Sequence, residues 1–360
     1  MKGNETQKIL IKATKDIEVI FNSIADEIST AIYRYGITQK EPFWKYNRNL
    51  YKELNRLLKS LKSRNLAVIN DSMKSAWQLS NKQIDKMLSD YLKRKNTQKL
   101  FDNPEFKNTS KARLIGVDVP STWVYYNEPA MNAMINRSAN GFTPSGRVWN
   151  ISLKSRQLIE QTLKSGILDG TSSGEMSRIL RQTLKNPNAL FRRVRNKKTG
   201  ILELSNPAKN YHPGRGVYRS AYKNALRLCG TETNMAYRFA EFERYQQIPF
   251  IIGYEVNLSA AHPRPDICDS MKGKYPKTFA FIGWHPHCLC YSTSIMLNDD
   301  QFKKYLDTGT IKHTNYIKEI PKDAKDYIKE NAPKIDKMED KPYWLRQNAD
   351  MINEQTNLEF

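Results

Sequence analysis

Apolar residues in the first hundred positions recur every three or four places, the period of a helix with one buried face. Leu10, Ala13, Ile17, Phe21, Ile24, Ile28 and Ile32 make one such stripe, and Gly36 supplies its stop, so a long amphipathic helix is expected at the start. Leu50, Leu54, Leu57 and Leu61 make a second, beside Lys45, Arg48, Lys52, Arg56 and Lys59, which recur at helical spacing as a basic ridge. A third stripe, with Met73, Trp77, Ile84, Met87 and Tyr91, begins after Asp71, a good N-cap. Residues 1–100 read as a helical bundle.

The period breaks over 101–150, where Pro104, Pro120, Pro129 and Pro144 and the aromatic Trp123, Tyr125 and Tyr126 mark a connector. A helix is expected from Ser152 to about Ser165. A second follows Ser172, which stands three before Glu175 as in a capping box, and Asp169-Gly170-Thr171 joins the two as a helical hairpin. Tyr222, Leu226, Cys229, Thr233, Ala236 and Ala240 then define a long helix with a narrow buried seam, in which Cys229 is plain core. Phe250, Ile252, Tyr254, Val256 and Leu258 alternate with Ile251, Gly253, Glu255 and Asn257 as a strand should; shorter strands are expected at 278–282 and 291–296. The fold class is α+β, predominantly α. A helical N-terminal region (1–100) and the connector precede an α+β domain (151–297) with a long helix, a small antiparallel sheet and a His/Cys knuckle. A charged tail (298–360), helical in pieces and ending in an exposed polar stretch, completes the chain.

Charge changes the picture of partners. The 360 residues carry 58 Lys and Arg against 37 Asp and Glu, a net +21, which favours polyanionic partners. From Arg181 to Arg227 there are twelve cations and one acid, Glu203, so this stretch alone holds +11. Its Arg192-Arg193-Val194-Arg195 run and Lys197-Lys198-Thr199-Gly200 turn, followed by Ile201-Leu202, read as a basic hairpin or arm. Arg192, Arg193, Arg195, Lys197 and Lys198 are candidate phosphate contacts, sequence-independent and salt-sensitive. No run of eighteen apolar residues predicts a membrane span, and the charged start lacks the apolar stretch of a secretion signal. The expectation is a reducing compartment and no membrane partner, where four cysteines point to metal or packing before a disulfide framework.

Of the nine Cys and His residues, six lie between His262 and Cys290, in HPRPDICD and HPHCLC on either side of a GKYP turn. Two such knuckles closed by a hairpin are a usual way of giving Zn²⁺ four ligands. Cys268, His285, Cys288 and Cys290 are the preferred set, with His262 and Asp266 as substitutes. A metal-free packed knuckle, a disulfide from Cys268 to Cys288 or Cys290, and a catalytic metal stay open as alternatives. The Pro286-His287-Cys288-Leu289-Cys290 unit lacks the acid and spacing of a zinc deaminase. Ser292-Thr293-Ser294 lacks the following E-x-E of an ADP-ribosyltransferase and reads as a strand face. Nucleotide P-loop, esterase and zinc-protease signatures do not occur.

Three runs resemble one family. Asn186-Pro187 with Leu190 to Arg195, Tyr211 to Tyr222, and Thr231-Glu232-Thr233-Asn234-Met235-Ala236-Tyr237-Arg238 are similar to the phage Mu F-like head morphogenesis proteins, minor head proteins of tailed bacteriophages. In that family a helix bearing R-T-E-T-N-x-A-Y leads to a strand, a D-x-C or C-x-x-C knuckle, a G-x-x-[YF] turn and H-P-x-C-x-C. Here these are GTETNMAYR, NLSAAHPRPDICD, GKY and HPHCLC. The resemblance covers about Ile151 to Met296. Gly230 replaces the usual Arg, and Asp269 and Ser270 leave the first knuckle without a second Cys, so a four-cysteine site is not carried over.

The resemblance implies a structural protein rather than an enzyme. It would lie inside the phage head near the portal, assembled in the bacterial host cytoplasm and needed for capsid assembly and DNA packaging or retention. Portal, capsid or scaffold proteins and non-specific DNA are the implied partners, the amphipathic helices offering an apolar stripe to a groove. Thr231, Glu232, Asn234, Tyr237, His262 and Asp266 become structural motif residues, with Glu232 and Asn234 hydrogen-bonding in the basic neighbourhood of Arg227 and Arg238. Two other readings remain: a metal-dependent hydrolase or transferase using the His/Cys cluster, and a non-specific DNA-binding module unrelated to heads.

Overall fold

The computed structural model describes residues 2–38, 42–95, 97–103, 105–137, 144–168, 172, 174–175, 178–179, 193–196, 199–204, 221–260 and 265–360. Among these, the helices are α1 (Lys2–Tyr35), α2 (Phe43–Tyr46), α3 (Arg48–Lys93), α4 (Glu128–Asn136), α5 (Pro144–Leu168), α6 (Ala221–Gln247), α7 (Ile267–Ser270), α8 (Asp299–Thr308), α9 (Lys322–Asp336), α10 (Tyr343–Gln347) and α11 (Ala349–Thr356). The strands are β1 (Lys111–Leu114), β2 (Val117–Pro120), β3 (Arg193–Arg195), β4 (Leu202–Leu204), β5 (Ile251–Asn257), β6 (Gly273–Tyr275) and β7 (Tyr291–Met296). The class is α+β and predominantly α.

The chain divides into two compact units, one of Gln7–Ser72 with Gly141–Gly230, the other of Met1–Thr6, Met73–Asn140 and Thr231–Phe360. Each is assembled from segments distant in sequence, where the pattern alone suggests four consecutive pieces.

The first unit is a helical bundle. Ile17, Ile24, Ile28 and Ile32 of α1, Leu50, Leu54, Leu57 and Leu61 of α3, and Ile151, Leu158, Ile159 and Leu163 of α5 are buried at the expected period. Phe21 meets Tyr222 edge-to-face at 5.5 Å between ring centroids. α1 ends where expected: Gly36 takes φ +65° and its N–H returns to the Ile32 carbonyl. The expected break at Asp71 does not occur. The apolar stripe continues through Ile69, Met73 and Ala76, all fully buried, while the Asn65 and Ser72 side chains bond carbonyls of their own helix, so α3 runs on and Asp71 is an exposed mid-helix residue. α5 likewise starts before Ser152, at Pro144, whose fixed φ suits a first helical residue. The Glu175 N–H donates to the Ser172 hydroxyl at 3.3 Å, half of the expected capping box. β3 and β4 form the expected hairpin, with Arg193 opposite Leu204 and Arg195 opposite Leu202. Its turn is closed by Asn196 N–H to Ile201 O and Gly200 N–H to Asn196 O, each 2.8 Å.

The second unit holds the antiparallel sheet β6–β5–β7 and the β1–β2 hairpin. β5 is central, with Tyr254 opposite Tyr275 on one side and Ser294 on the other. Gly253 is required there, because a Cβ would stand 2.7 Å from Ile317 Cδ1 and 2.8 Å from the Tyr275 carbonyl. The strand expected at 278–282 is absent. Phe279, Ala280, Phe281 and Ile282 are all buried, so no alternation survives, and the Asn348 side-chain amide bonds both N–H and C=O of Ala280 where a neighbouring strand would. The tail is also not a separate appendage: Ile320, Ala324, Ile328, Ile335, Trp344, Leu345 and Ile352 join the core around the sheet, and near the end Thr356 is buried.

Candidate metal centre

The motif helix α6 is buried more widely than the narrow seam its pattern predicts. From Leu228 to Glu241 every residue but Phe239 is buried, so the polar residues must find partners inside the fold. They do so in register. Thr231 accepts the His287 N–H at 3.2 Å, and Asn234 donates to the Cys288 carbonyl at 3.4 Å. Arg238 donates through Nη2 to the carbonyls of Cys288 at 2.6 Å and Cys290 at 2.7 Å, and through Nη1 to Ile282 at 3.3 Å. The Ser292 hydroxyl donates to Glu241 at 2.7 Å. Positions 231, 234, 238 and 241 lie on one helical face, so a single ridge of side chains grips the H-P-H-C-L-C segment and the strand after it.

That segment is shaped for the grip. The Cys288 N–H returns to the His285 carbonyl at 3.0 Å, with Pro286 and His287 between, and His287 has φ +60°. This is a type II turn, which suits Pro at its first corner and demands positive φ at its second. Gly283 takes φ +110°, and a Cβ there would stand 2.6 Å from Arg238 Nη1. The guanidinium also lies over the Phe281 ring, 5.1 Å from its centroid.

The turn brings His285 and Cys288 to Cys268, which α7 delivers from the first knuckle. Asp266 caps α7, accepting the Cys268 N–H at 2.7 Å, while Asp269 accepts the Asp266 N–H at 2.8 Å. Cys268 Sγ lies 3.1 Å from His285 Nε2 and 3.8 Å from Cys288 Sγ. The three donor atoms fall within 4.8 Å of one another, close enough to hold one metal ion. Asp266 Oδ2 is 3.2 Å from the same Nε2. His285 Nδ1 lies 2.8 Å from the Pro286 carbonyl, which can only accept, so Nδ1 carries a proton and Nε2 is the ring nitrogen left to act as a ligand atom. Nε2 thus has a carboxylate oxygen and a sulfur beside it, a donor set that suits a cation. Hydrogen bonds from Cys268 and Cys290 hold the Cys288 thiol well below its ordinary pKa despite burial, with Arg238 adding to the effect. The same bond with Cys288 drives the Cys268 thiol up.

Cys268, His285 and Cys288 of the expected set therefore meet. Cys290 is buried beside both thiols but stands outside the three-atom group. Asp266 reaches the group through His285, and His262 lies outside the described residues. A catalytic cysteine relay is not what the geometry provides: thiol and carboxylate address one ring nitrogen, whereas a relay needs the carboxylate on the other. No disulfide joins the four cysteines.

Glu232, 0 % exposed, is paired at 2.7 Å with Arg137, which also donates to the Met134 carbonyl; Arg137 lies far outside the motif. The Tyr237 hydroxyl bonds Gln83. Of the candidate DNA contacts, Arg193 and Arg195 are on β3, and Arg195 is exposed and donates to the Gly200 carbonyl at 3.0 Å. Arg192, Lys197 and Lys198 lie outside the described residues. Arg238, Gly283 and Glu241 are the site residues that composition does not single out. For Arg238 and Glu241 the signal is the i, i+3, i+7, i+10 spacing of polar residues from Thr231 on a helix otherwise read as apolar; Gly283 leaves none. Compared with known proteins, the chain matches no family model, no curated protein and no solved structure.

Proposed function

We propose that this is a minor head protein of a tailed phage, a structural part acting near the portal, with a structural zinc ion in its knuckle and non-specific DNA contact through its basic arm. One observation carries the reading. Thr231, Asn234 and Arg238, from the run that resembles the head morphogenesis family, are all bonded to the backbone of the H-P-H-C-L-C segment. Side chains so engaged hold an architecture together, as a motif of assembly would require. The net charge of +21 suits a protein placed against condensed DNA.

Zinc is favoured by the donors and their spacing. Two sulfurs bound at about 2.3 Å to one tetrahedral ion stand about 3.8 Å apart, which is the separation of Cys268 and Cys288. The His285 tautomer leaves Nε2 as the ligand atom, and Cys290 or Asp266 completes four. Elemental analysis of the purified protein should find one equivalent of zinc, and chelation should lower its melting temperature, since binding and folding are linked. Metal-free protein that melts identically with and without chelator would remove the ion. The assembly reading is tested by coprecipitation with portal protein and by mass spectrometry of purified heads. Its absence from heads that assemble normally without it would sink that reading.

A further inference from the structure

Besides the arm, one other stretch concentrates positive charge: from Lys45 to Arg64 there are seven Lys and Arg and one acid, Glu53. The structure sorts these side chains by face. Leu50, Leu54, Leu57, Leu58 and Leu61 are buried in the bundle, and Arg48, Lys52, Arg56 and Lys59 are exposed on the other side of α3. Arg56 is committed, at 2.7 Å from Glu53 and 3.3 Å from Glu27. Arg48, Lys52 and Lys59 have no carboxylate in ion-pair range among the described residues. At 1.5 Å per residue the three extend over about 16 Å of helix, a row of cations along one line.

At its Lys59 end the row opens into a groove of about 220 Å³ lined by Asn55, Leu58, Lys59, Ser152, Leu153 and Arg156. α3 and α5 together thus offer a guanidinium, an ammonium and an amide to one concave spot. Arg156 is ion-paired there with Glu160 at 2.8 Å and bonded to the Tyr51 hydroxyl at 2.9 Å, so it is fixed in direction while Lys59 brings the uncompensated charge.

We infer that this α3–α5 face is a second duplex-DNA contact, in which Arg48, Lys52 and Lys59 follow the phosphate backbone and the groove beside Lys59 and Arg156 seats one phosphate. An acidic protein would want a cluster of apolar or aromatic anchors at the centre of its docking face, and among the large apolar residues from Arg48 to Ser63 and those lining the groove only Leu153 is exposed. The contact carries no base readout, so its signature is electrostatic.

The test uses the full chain and a random-sequence 25-base-pair duplex, with affinity measured by fluorescence anisotropy over a salt series. The triple variant R48E/K52E/K59E should lower the slope of log K against log salt by about 2–3, near 0.9 for each phosphate that is no longer neutralised. Reversal of Arg193 and Arg195 should lower it separately, and the two effects should add. The neutral variant R48Q/K52Q/K59Q, which leaves the buried leucines untouched, should give the same slope change with an unaltered melting curve. An unchanged slope in both triple variants overturns the inference, as does retention of an acidic protein but not DNA by this face. The assay needs no phage head, so the DNA face stands or falls separately from the assembly reading.

Discussion

In the knuckle, Arg238 is 6 % exposed and gives three hydrogen bonds to backbone carbonyls; in the β3–β4 hairpin, Arg195 is exposed and gives one, to its own turn. The residue type is the same and burial decides its work. A buried guanidinium cannot shed its proton, so the fold must surround it with acceptors, and those acceptors in turn depend on it. An exposed one stays hydrated, costs the fold little, and keeps donors for a partner. Charge density along the sequence therefore finds the second kind of cation and overlooks the first.

The largest expected effect is at the buried end of this comparison. Arg238→Met keeps much of the volume but takes the donor from the Cys290 and Ile282 carbonyls and leaves Cys288 only the Asn234 amide at 3.4 Å, at about 1–3 kcal/mol for each buried group left unpaired. Urea denaturation should report a loss of about 3–5 kcal/mol. A loss under about 1 kcal/mol, less than one such unpaired group, would mean that the helix grip is incidental to the knuckle.

Lys277 sharpens the comparison, because it is a partly buried cation that can discharge. Its ammonium donates to the Ile248 carbonyl at 2.8 Å, and burial lowers its pKa from 10.5 to about 8. Between those values the unfolded chain binds the extra proton, so this lysine makes stability rise with pH from about 8 towards 10.5. The full rise is about 3.5 kcal/mol, about 2.5 pH units at about 1.4 each. Lys277→Met should flatten it, read as the difference between the two proteins at about pH 7.5 and about pH 10, either side of most of that rise; parallel curves would refute the assignment.

Gly283→Ala probes the same grip from the other side. It combines an unfavourable φ of +110° with a Cβ 2.6 Å from Arg238 Nη1, and should cost about 2 kcal/mol. In the Arg238→Met background the steric part should vanish, leaving only the backbone part, and a double-mutant cycle measures the difference.

How far the sequence discloses this site follows from what kind of signal each part leaves. Six Cys and His residues crowded between His262 and Cys290 are visible because those residue types are rare. The helix and strand leading to them have strong periods. Arg238 is visible only as one more cation in a motif, since nothing in a sequence distinguishes a buried arginine with three carbonyl acceptors from a solvated one. The strand expected at 278–282 fails for a similar reason: Asn348, far along the chain, supplies the hydrogen bonds that a strand neighbour would. Asp71 has the chemistry of a cap, but Ile69 and Met73 on either side are both buried, and tertiary packing overrides the local preference. The tail looks solvated because its apolar residues are sparse, yet Trp344, Leu345 and Ile352 are enough to fasten it.

The smallest expected effect on stability belongs to the arm. Reversing Arg192, Arg193 and Arg195 to Glu adds no buried charge at Arg195 and removes a single exposed bond there, to the Gly200 carbonyl. The hairpin is closed by backbone bonds at Asn196, Gly200 and Ile201 and by the Asn196 amide on Glu203 at 2.9 Å, none of which uses an arginine. Melting should therefore shift by less than about 0.5 kcal/mol equivalent, while retention on immobilised duplex DNA at low salt falls steeply. Unfolding with retention intact would move these arginines to the Arg238 side of the comparison, and equal retention before and after would take DNA contact away from the arm altogether.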